Sequence, residues 1–214
     1  MTVRNRNLST AASAAPASKF LSACLMVLPV LVAACGHKQP KYNYAAEPDP
    51  RKQEYVIGAS DVLRISVWRN PDLSGEAIVR PDGTITLPLV GDLRAAGRTP
   101  GQIRAEITQR LGAFIKDESA IVTVAVATIN SYRFTVSGNV EHPGTYASTH
   151  IVTVTEAIAL AGGANRFADA EASVIIRSDE KGTRRIPVDY PGILAGTRAQ
   201  QDLPLLAGDT LYVP

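Results

Sequence analysis

Thr153-Val154-Thr155-Glu156-Ala157-Ile158-Ala159-Leu160-Ala161-Gly162-Gly163 spells a short helix with both ends marked. Thr153 and Glu156 stand at capping-box spacing, so hydroxyl and carboxylate each take an orphan amide of the first turn. Val154, Ile158 and Ala161 fall on one inner side, and the glycine pair supplies the left-handed cap that ends the helix. Outward from this helix the chain reads as strands. Phe134 and Val136 alternate ahead of it and run into Gly138-Asn139-Val140-Glu141-His142-Pro143-Gly144. There Pro143-Gly144 predicts a type II turn with a positive φ at the glycine. Behind the helix, Val174 to Arg177 and Ile186 to Val188 read as strands. Ile193-Leu194-Ala195 reads as one helical turn, and Leu205 to Val213 closes the unit after a Gly208-Asp209 turn. One helix crossed by several short strands is a β-grasp-like shape.

Another unit, a small α+β one in the order strands, helix, strand, lies upstream. Leu63, Ile65 and Val67 alternate with Arg64, Ser66 and Trp68, the period of a half-buried strand. Ala77 to Arg80 and Thr84 to Leu87 flank Pro81-Asp82-Gly83, which predicts a hairpin. Thr99-Pro100-Gly101-Gln102 opens a helix, with Thr99 as cap, Pro100 at the first helical position and Gln102 at capping-box spacing. Ile103, Ile107, Leu111 and Phe114 are expected on its buried face. Val122, Val124 and Val126 return to strand period. The chain is therefore expected to be α+β, built as two small domains.

The first 53 residues carry no such pattern. Arg4, Arg6 and Lys19 precede an apolar run from Phe20 to Ala34, which ends on Val32-Ala33-Ala34-Cys35-Gly36. Basic, apolar, then small residues is the layout of a secretory signal. The run is shorter than the roughly 20 residues that span a bilayer as a helix. A cysteine at the cleavage point resembles a bacterial lipobox, in which Cys35 would carry lipid. A plain secretory signal with an incidental cysteine is the other reading. His37 to Arg51 has three prolines and mixed charge, and reads as a lipidated tether over 35–53 whose Tyr42 and Tyr44 are solvated. Taking the three basic residues of 1–34 from the chain's 22 leaves 19 Lys and Arg against 20 Asp and Glu, a net charge of −1. A near-neutral body argues against nucleic acid as partner, because phosphate binding needs a basic face. With Cys24 in the signal and Cys35 lipidated, no thiol remains for a disulfide or a cysteine metal site.

The ordered set of segments carries a resemblance. Tyr55-Val-Ile-Gly58, Asp61-Val-Leu-Arg64-Ile65, Val67-Trp68, Asn70-Pro-Asp-Leu-Ser-Gly75, Val79-Arg-Pro-Asp-Gly83 and Leu87-Pro-Leu-Val-Gly-Asp92 resemble the N-terminal domain of bacterial outer-membrane polysaccharide export proteins. Val136-Ser-Gly138-Asn-Val140, Pro143-Gly-Thr-Tyr146, Ala157-Ile158, Ala161-Gly-Gly163 and Leu206-Ala-Gly-Asp209 resemble an SLBB domain, a soluble ligand-binding β-grasp. This divides the chain into a signal at 1–34, the tether, an export domain at 54–130 and an SLBB domain at 131–214. Ser60 departs from the glycine common in that family, and would resist a positive φ if the turn needs one.

The resemblance implies a homo-oligomeric periplasmic ring, with eight subunits as a candidate size, through which secreted polysaccharide passes. It implies an inner-membrane copolymerase as partner and a lipid-anchored place on the periplasmic face of the outer membrane. Large members end in a membrane-crossing helix; this sequence stops at the last SLBB strand. A separate outer-membrane β-barrel protein is therefore expected as partner.

No cofactor, metal site or catalytic residue is expected. Gly58, Gly83, Gly138 and Gly144 read as turn glycines rather than ligand loops. Asp72, Asp82, Asp92 and Asp209 each neighbour a glycine or proline and read as turn residues, and Asp61 is grouped with them. His37, His142 and His150 lack a second ligand at metal spacing. No Gly-x-Ser-x-Gly, P-loop or dinucleotide fingerprint occurs, and enzymatic activity is not expected. Arg64, Arg69, Arg80, Arg94 and Arg98 read as solvated or salt-bridged rather than as the lining of a passage. Trp68 and Tyr146 read as buried rather than as sugar-stacking platforms. The competing functional reading is a periplasmic soluble-ligand-binding module without a transport role.

Overall fold

The computed structural model describes residues 41–114, 121–179 and 182–214. The described residues belong to one compact unit built round two hydrophobic cores. The signal, Cys35 and residues 36–40 of the expected tether lie outside the described residues.

In the first domain, β1 (Val62–Val67) is the centre of a three-stranded antiparallel sheet. It pairs with β2 (Gly75–Ile78) on one side and β5 (Val122–Thr128) on the other. Leu63, Ile65 and Val67 point into the core, and Arg64, Ser66 and Trp68 point out, as period two requires. α1 (Pro100–Leu111) packs on β5 and buries Ile103, Ile107 and Leu111. Its capping box between Thr99 and Gln102 is formed in both directions. Phe114 lies past the helix end and is exposed, so the buried face stops one step earlier than the spacing predicts.

The expected hairpin at Pro81-Asp82-Gly83 is replaced by a sheet change. The tight turn forms, with Gly83 at φ 83° and its N–H donating to the Arg80 carbonyl at 2.8 Å. Beyond one bond, in which Arg80 N–H donates to the Thr84 carbonyl at 2.9 Å, the strands on either side form no ladder with each other. β2 pairs with β1, whereas β3 (Thr84–Leu87) pairs with β4 (Gly91–Arg94) in a separate two-stranded ribbon. A local turn signal fixes a reversal and leaves the choice of ladder partner to the core.

The second domain holds a five-stranded mixed sheet. Its order is β7 (Gly144–Ala147), β6 (Arg133–Gly138), β10 (Thr210–Val213), β8 (Ser173–Asp179), β9 (Gly182–Val188). β10 runs parallel to β6 and antiparallel to β8, so the last strand closes the sheet between the two halves. α2 (Val154–Leu160) contributes Val154, Ala157 and Ile158 to the same core as Phe134, Ile175 and Leu211. Its capping box is formed, and Gly162 and Gly163 end it at φ 82° and 94°. α3 (Tyr190–Leu194) supplies the short helical turn. This is the expected α+β, β-grasp-like shape.

Two glycine expectations change. Gly144 has no positive φ and opens β7 instead of completing a type II turn. Gly138 is the constrained position. Its φ is 91°, and a Cβ there would run into the Val213 carbonyl of the parallel strand.

The largest departure lies ahead of the first domain. Tyr42 and Tyr44 are not solvated: they pack against the second-domain core. Their rings sit 5.2 Å apart, and Tyr44 Oη donates to the Pro187 carbonyl of β9 at 2.9 Å. Proline content hid this contact, because the segment has no period of its own and borrows its order from the surface it lies on.

Candidate functional site

Two polar clusters carry most of the buried chemistry. The first sits where the domains meet. The loop Gly58-Ala59-Ser60 delivers Asp61 to the start of β1, where it is fully buried. Its Oδ2 accepts from Gly58 N at 2.8 Å, Tyr55 Oη at 2.6 Å and Ser131 Oγ at 3.0 Å. Its Oδ1 accepts from Asn130 N at 2.9 Å and Ser131 N at 2.8 Å. One carboxylate thus ties the entry loop of the first domain to the linker entering the second. Burial pushes its pKa up, but the bonds from Tyr55, Gly58, Ser131 and Asn130 outweigh that and hold it below the usual range. Burial and the bond to Asp61 push the Tyr55 phenol up to about 12.

Two backbone features make the hub. Gly58 has no special φ; it is needed because a Cβ would overlap the Ser131 side chain. Ser60 does adopt the left-handed conformation, at φ 74°, that glycine would take more easily. Its N–H donates to the Val79 carbonyl at 2.8 Å, and its carbonyl accepts from Asn130 Nδ2 at 2.9 Å. An open groove of about 690 Å³ runs beside this loop, lined by Val56, Ala59, Ser60, Asn130, Arg133 and Leu206 among others.

The second cluster is ionic and belongs to the second domain. Arg177 on β8 forks onto Asp209, with Nε 3.0 Å from Oδ1 and Nη2 2.6 Å from Oδ2. Its Nη1 reaches Glu47 Oε2 at 2.7 Å, and its Nη2 also donates to the Pro204 carbonyl at 3.1 Å. Glu47 is shared: Arg184 Nη1 donates to its Oε1 at 2.8 Å, and Tyr42 Oη donates to the same oxygen. Arg184 also pairs with Asp179 at 3.0 Å. The Arg177, Glu47 and Asp209 side chains are only 2–3% exposed. Burial alone would lower the Arg177 pKa; Asp209 and Glu47 reverse that and raise it.

The sequence missed this cluster, although one signal pointed to it. On β8 Ser173, Ile175 and Arg177 share the buried parity, so the arginine had to meet buried carboxylates. Asp209 does sit at a turn, where it also accepts from Leu206 N at 2.7 Å, but its main partner is Arg177. Asp61 likewise exceeds a turn role.

The remaining candidates fall as follows. Arg64 pairs with Glu76, Arg80 with Asp82 and Asp92, and Arg98 with Glu106. Asp82 and Asp92 also accept from Thr84 and Thr86. Tyr146 is half-buried and stacks 6.0 Å from Phe134. Trp68 is not buried: the residue is 59% exposed, because it follows β1 on the parity that faces away from the core. His142 and His150 are exposed. Cys35 lies outside the described residues. Among the described residues, no group of three or more His, Cys, Asp or Glu is placed to hold a metal ion. No helix among them is long and apolar enough to cross a membrane.

Comparison with known proteins places both domains. Residues 49–127 match the family described as polysaccharide biosynthesis/export protein, and residues 133–189 match the SLBB domain. The exopolysaccharide production protein ExoF of Rhizobium meliloti (strain 1021) is 35% identical over 130 residues, covering 54% of this chain and 30% of the relative. The EPS I polysaccharide export outer membrane protein EpsA of Ralstonia solanacearum is 33% identical over 135 residues, covering 52% and 35%. An EpsA of the same description from Ralstonia nicotianae (strain ATCC BAA-1114 / GMI1000) is 27% identical over 184 residues, covering 74% and 47%. The chain thus spans between 30% and 47% of the length of these relatives.

Proposed function

The chain belongs to the polysaccharide biosynthesis/export family, with an SLBB domain behind the family's own domain, and on that premise we propose that it is a conducting component of exopolysaccharide or capsule export. Copies assemble into a periplasmic ring through which the polymer passes. Cys35 carries the lipid that holds each copy on the periplasmic face of the outer membrane. An inner-membrane copolymerase meets the ring from below, and a separate outer-membrane β-barrel carries the polymer across the lipid. Closed barrels and helices are the structures that satisfy every backbone group there. The protein performs no bond-making chemistry of its own; synthesis elsewhere drives the polymer forward.

The observation that carries this reading is the order of the two domains, export domain first and SLBB domain second, on one compact body. The Asp61 hub supports it, because a ring subunit must hold its two domains in one fixed relation. The test is assembly. Cross-linking in living cells, followed by light scattering of the detergent-extracted full chain, is expected to give one closed multimer. Recovery of monomers alone, at every cross-linker dose, defeats the ring.

A further inference from the structure

Glu47 lies in a segment that precedes the first domain in sequence but is fastened to the second. Glu47 meets Arg177 at 2.7 Å and Arg184 at 2.8 Å, Tyr44 Oη meets the Pro187 carbonyl at 2.9 Å, and the Tyr42 and Tyr44 rings pack on the second-domain core, while Tyr42 Oη braces Glu47 from within the segment. Arg177 is in turn held by Asp209 at 2.6 Å, so Glu47 meets a guanidinium that is also anchored within the second domain. A buried carboxylate between two guanidinium groups does not let go cheaply, because release leaves a buried charge short of a partner.

We infer that Tyr42–Glu47 is a clasp that shortens the working tether and holds the second domain, at its β9 flank, close to the lipid surface. This rests on the proposed acylation of Cys35. A free tether from Cys35 to Tyr55 would let the body stand off by up to roughly 70 Å at full extension. With the strap seated, only the seven residue steps from Cys35 to Tyr42 are left, a reach of at most roughly 25 Å. The clasp therefore sets which domain is tethered nearest the membrane surface and limits how far away it can stand. Glu47 and Tyr44 are positioning residues in this device.

The test uses the full chain in lipid vesicles whose phospholipid headgroups carry a nitroxide quencher. A fluorescent thiol probe is placed at Arg185→Cys on β9, or at Ala125→Cys on β5 of the first domain; both positions are exposed. The probe at 185 is expected to be quenched several-fold more than the probe at 125, and Glu47→Ala is expected to erase the difference. Equal quenching at both sites in the unaltered clasp overturns the inference. Mass measurement of Cys35 reads acylation separately, so an unacylated cysteine counts against the anchor and not the clasp. The clasp itself is read without lipid by hydrogen exchange at the Ala46 and Glu47 amides, which bond to Asn43 and Tyr44 carbonyls. Exchange there is expected to speed at least tenfold in Glu47→Ala and measurably in Arg184→Ala. Unchanged exchange in both variants overturns it.

Discussion

Replacing Asp61 with alanine removes a buried group that ties the first domain to the linker entering the second. Five donors lose their acceptor at once: Tyr55 Oη, Gly58 N, Asn130 N, Ser131 N and Ser131 Oγ. The two hydroxyls can turn elsewhere; the three backbone N–H groups cannot. A buried donor left without an acceptor costs about 1–3 kcal/mol, and three give about 3–9 kcal/mol. Water entering from the adjoining groove recovers part of that, so a loss of about 3–5 kcal/mol is expected, a large share of an ordinary domain's stability. Urea unfolding followed by circular dichroism reads it as a lower midpoint. Loss of the tie also lets the two domains unfold in separate steps. Acid titration supplies an independent check. The Asp61 pKa is lowered in the folded state, so its contribution is present above the unfolded value of about 3.9 and fades as pH falls through the folded value. The unaltered protein should lose stability in that acid window, and Asp61→Asn should show a shallower loss there. A cost under about 1 kcal/mol for Asp61→Ala, with an unchanged acid limb, refutes the hub.

Other changes test neighbouring points. Ser60→Gly relieves a left-handed backbone at φ 74° and keeps both backbone bonds, so it should stabilise by about 0.5–1 kcal/mol in the same urea assay. Gly138→Ala should destabilise by about 2–4 kcal/mol, since the new methyl meets the Val213 carbonyl and φ is 91°; a neutral result would mean that the β6–β10 pairing is looser than described. Cys35→Ser should move the protein from the membrane pellet to the soluble periplasmic fraction, and continued pelleting counts against the lipid anchor.

The α+β class and the two longer helices, α1 and α2, were legible because each is specified locally. Thr99 with Gln102, Thr153 with Glu156 and the Gly162-Gly163 pair mark ends within four residues of where they act. What stayed hidden depends on partners far along the chain. Pro81-Asp82-Gly83 announces a turn, but that β2 joins β1 while β3 joins β4 is decided by the packing of the whole sheet. Trp68 looked like core by its size, yet its parity relative to Leu63, Ile65 and Val67 already placed it outside. Glu47 meets Arg177 across 130 positions and Asp61 meets Ser131 across 70, separations at which no spacing rule operates. The parity of Arg177 on β8 was the one readable trace of its cluster, and it names no partner.

The proposal that copies of this protein conduct a secreted polysaccharide is tested most directly by removing the gene and assaying where the polymer goes. Cell-surface polysaccharide should vanish, polymer or its intermediates should accumulate behind the outer membrane, and a plasmid copy should restore export. Normal surface polysaccharide in the deletion strain would contradict the account.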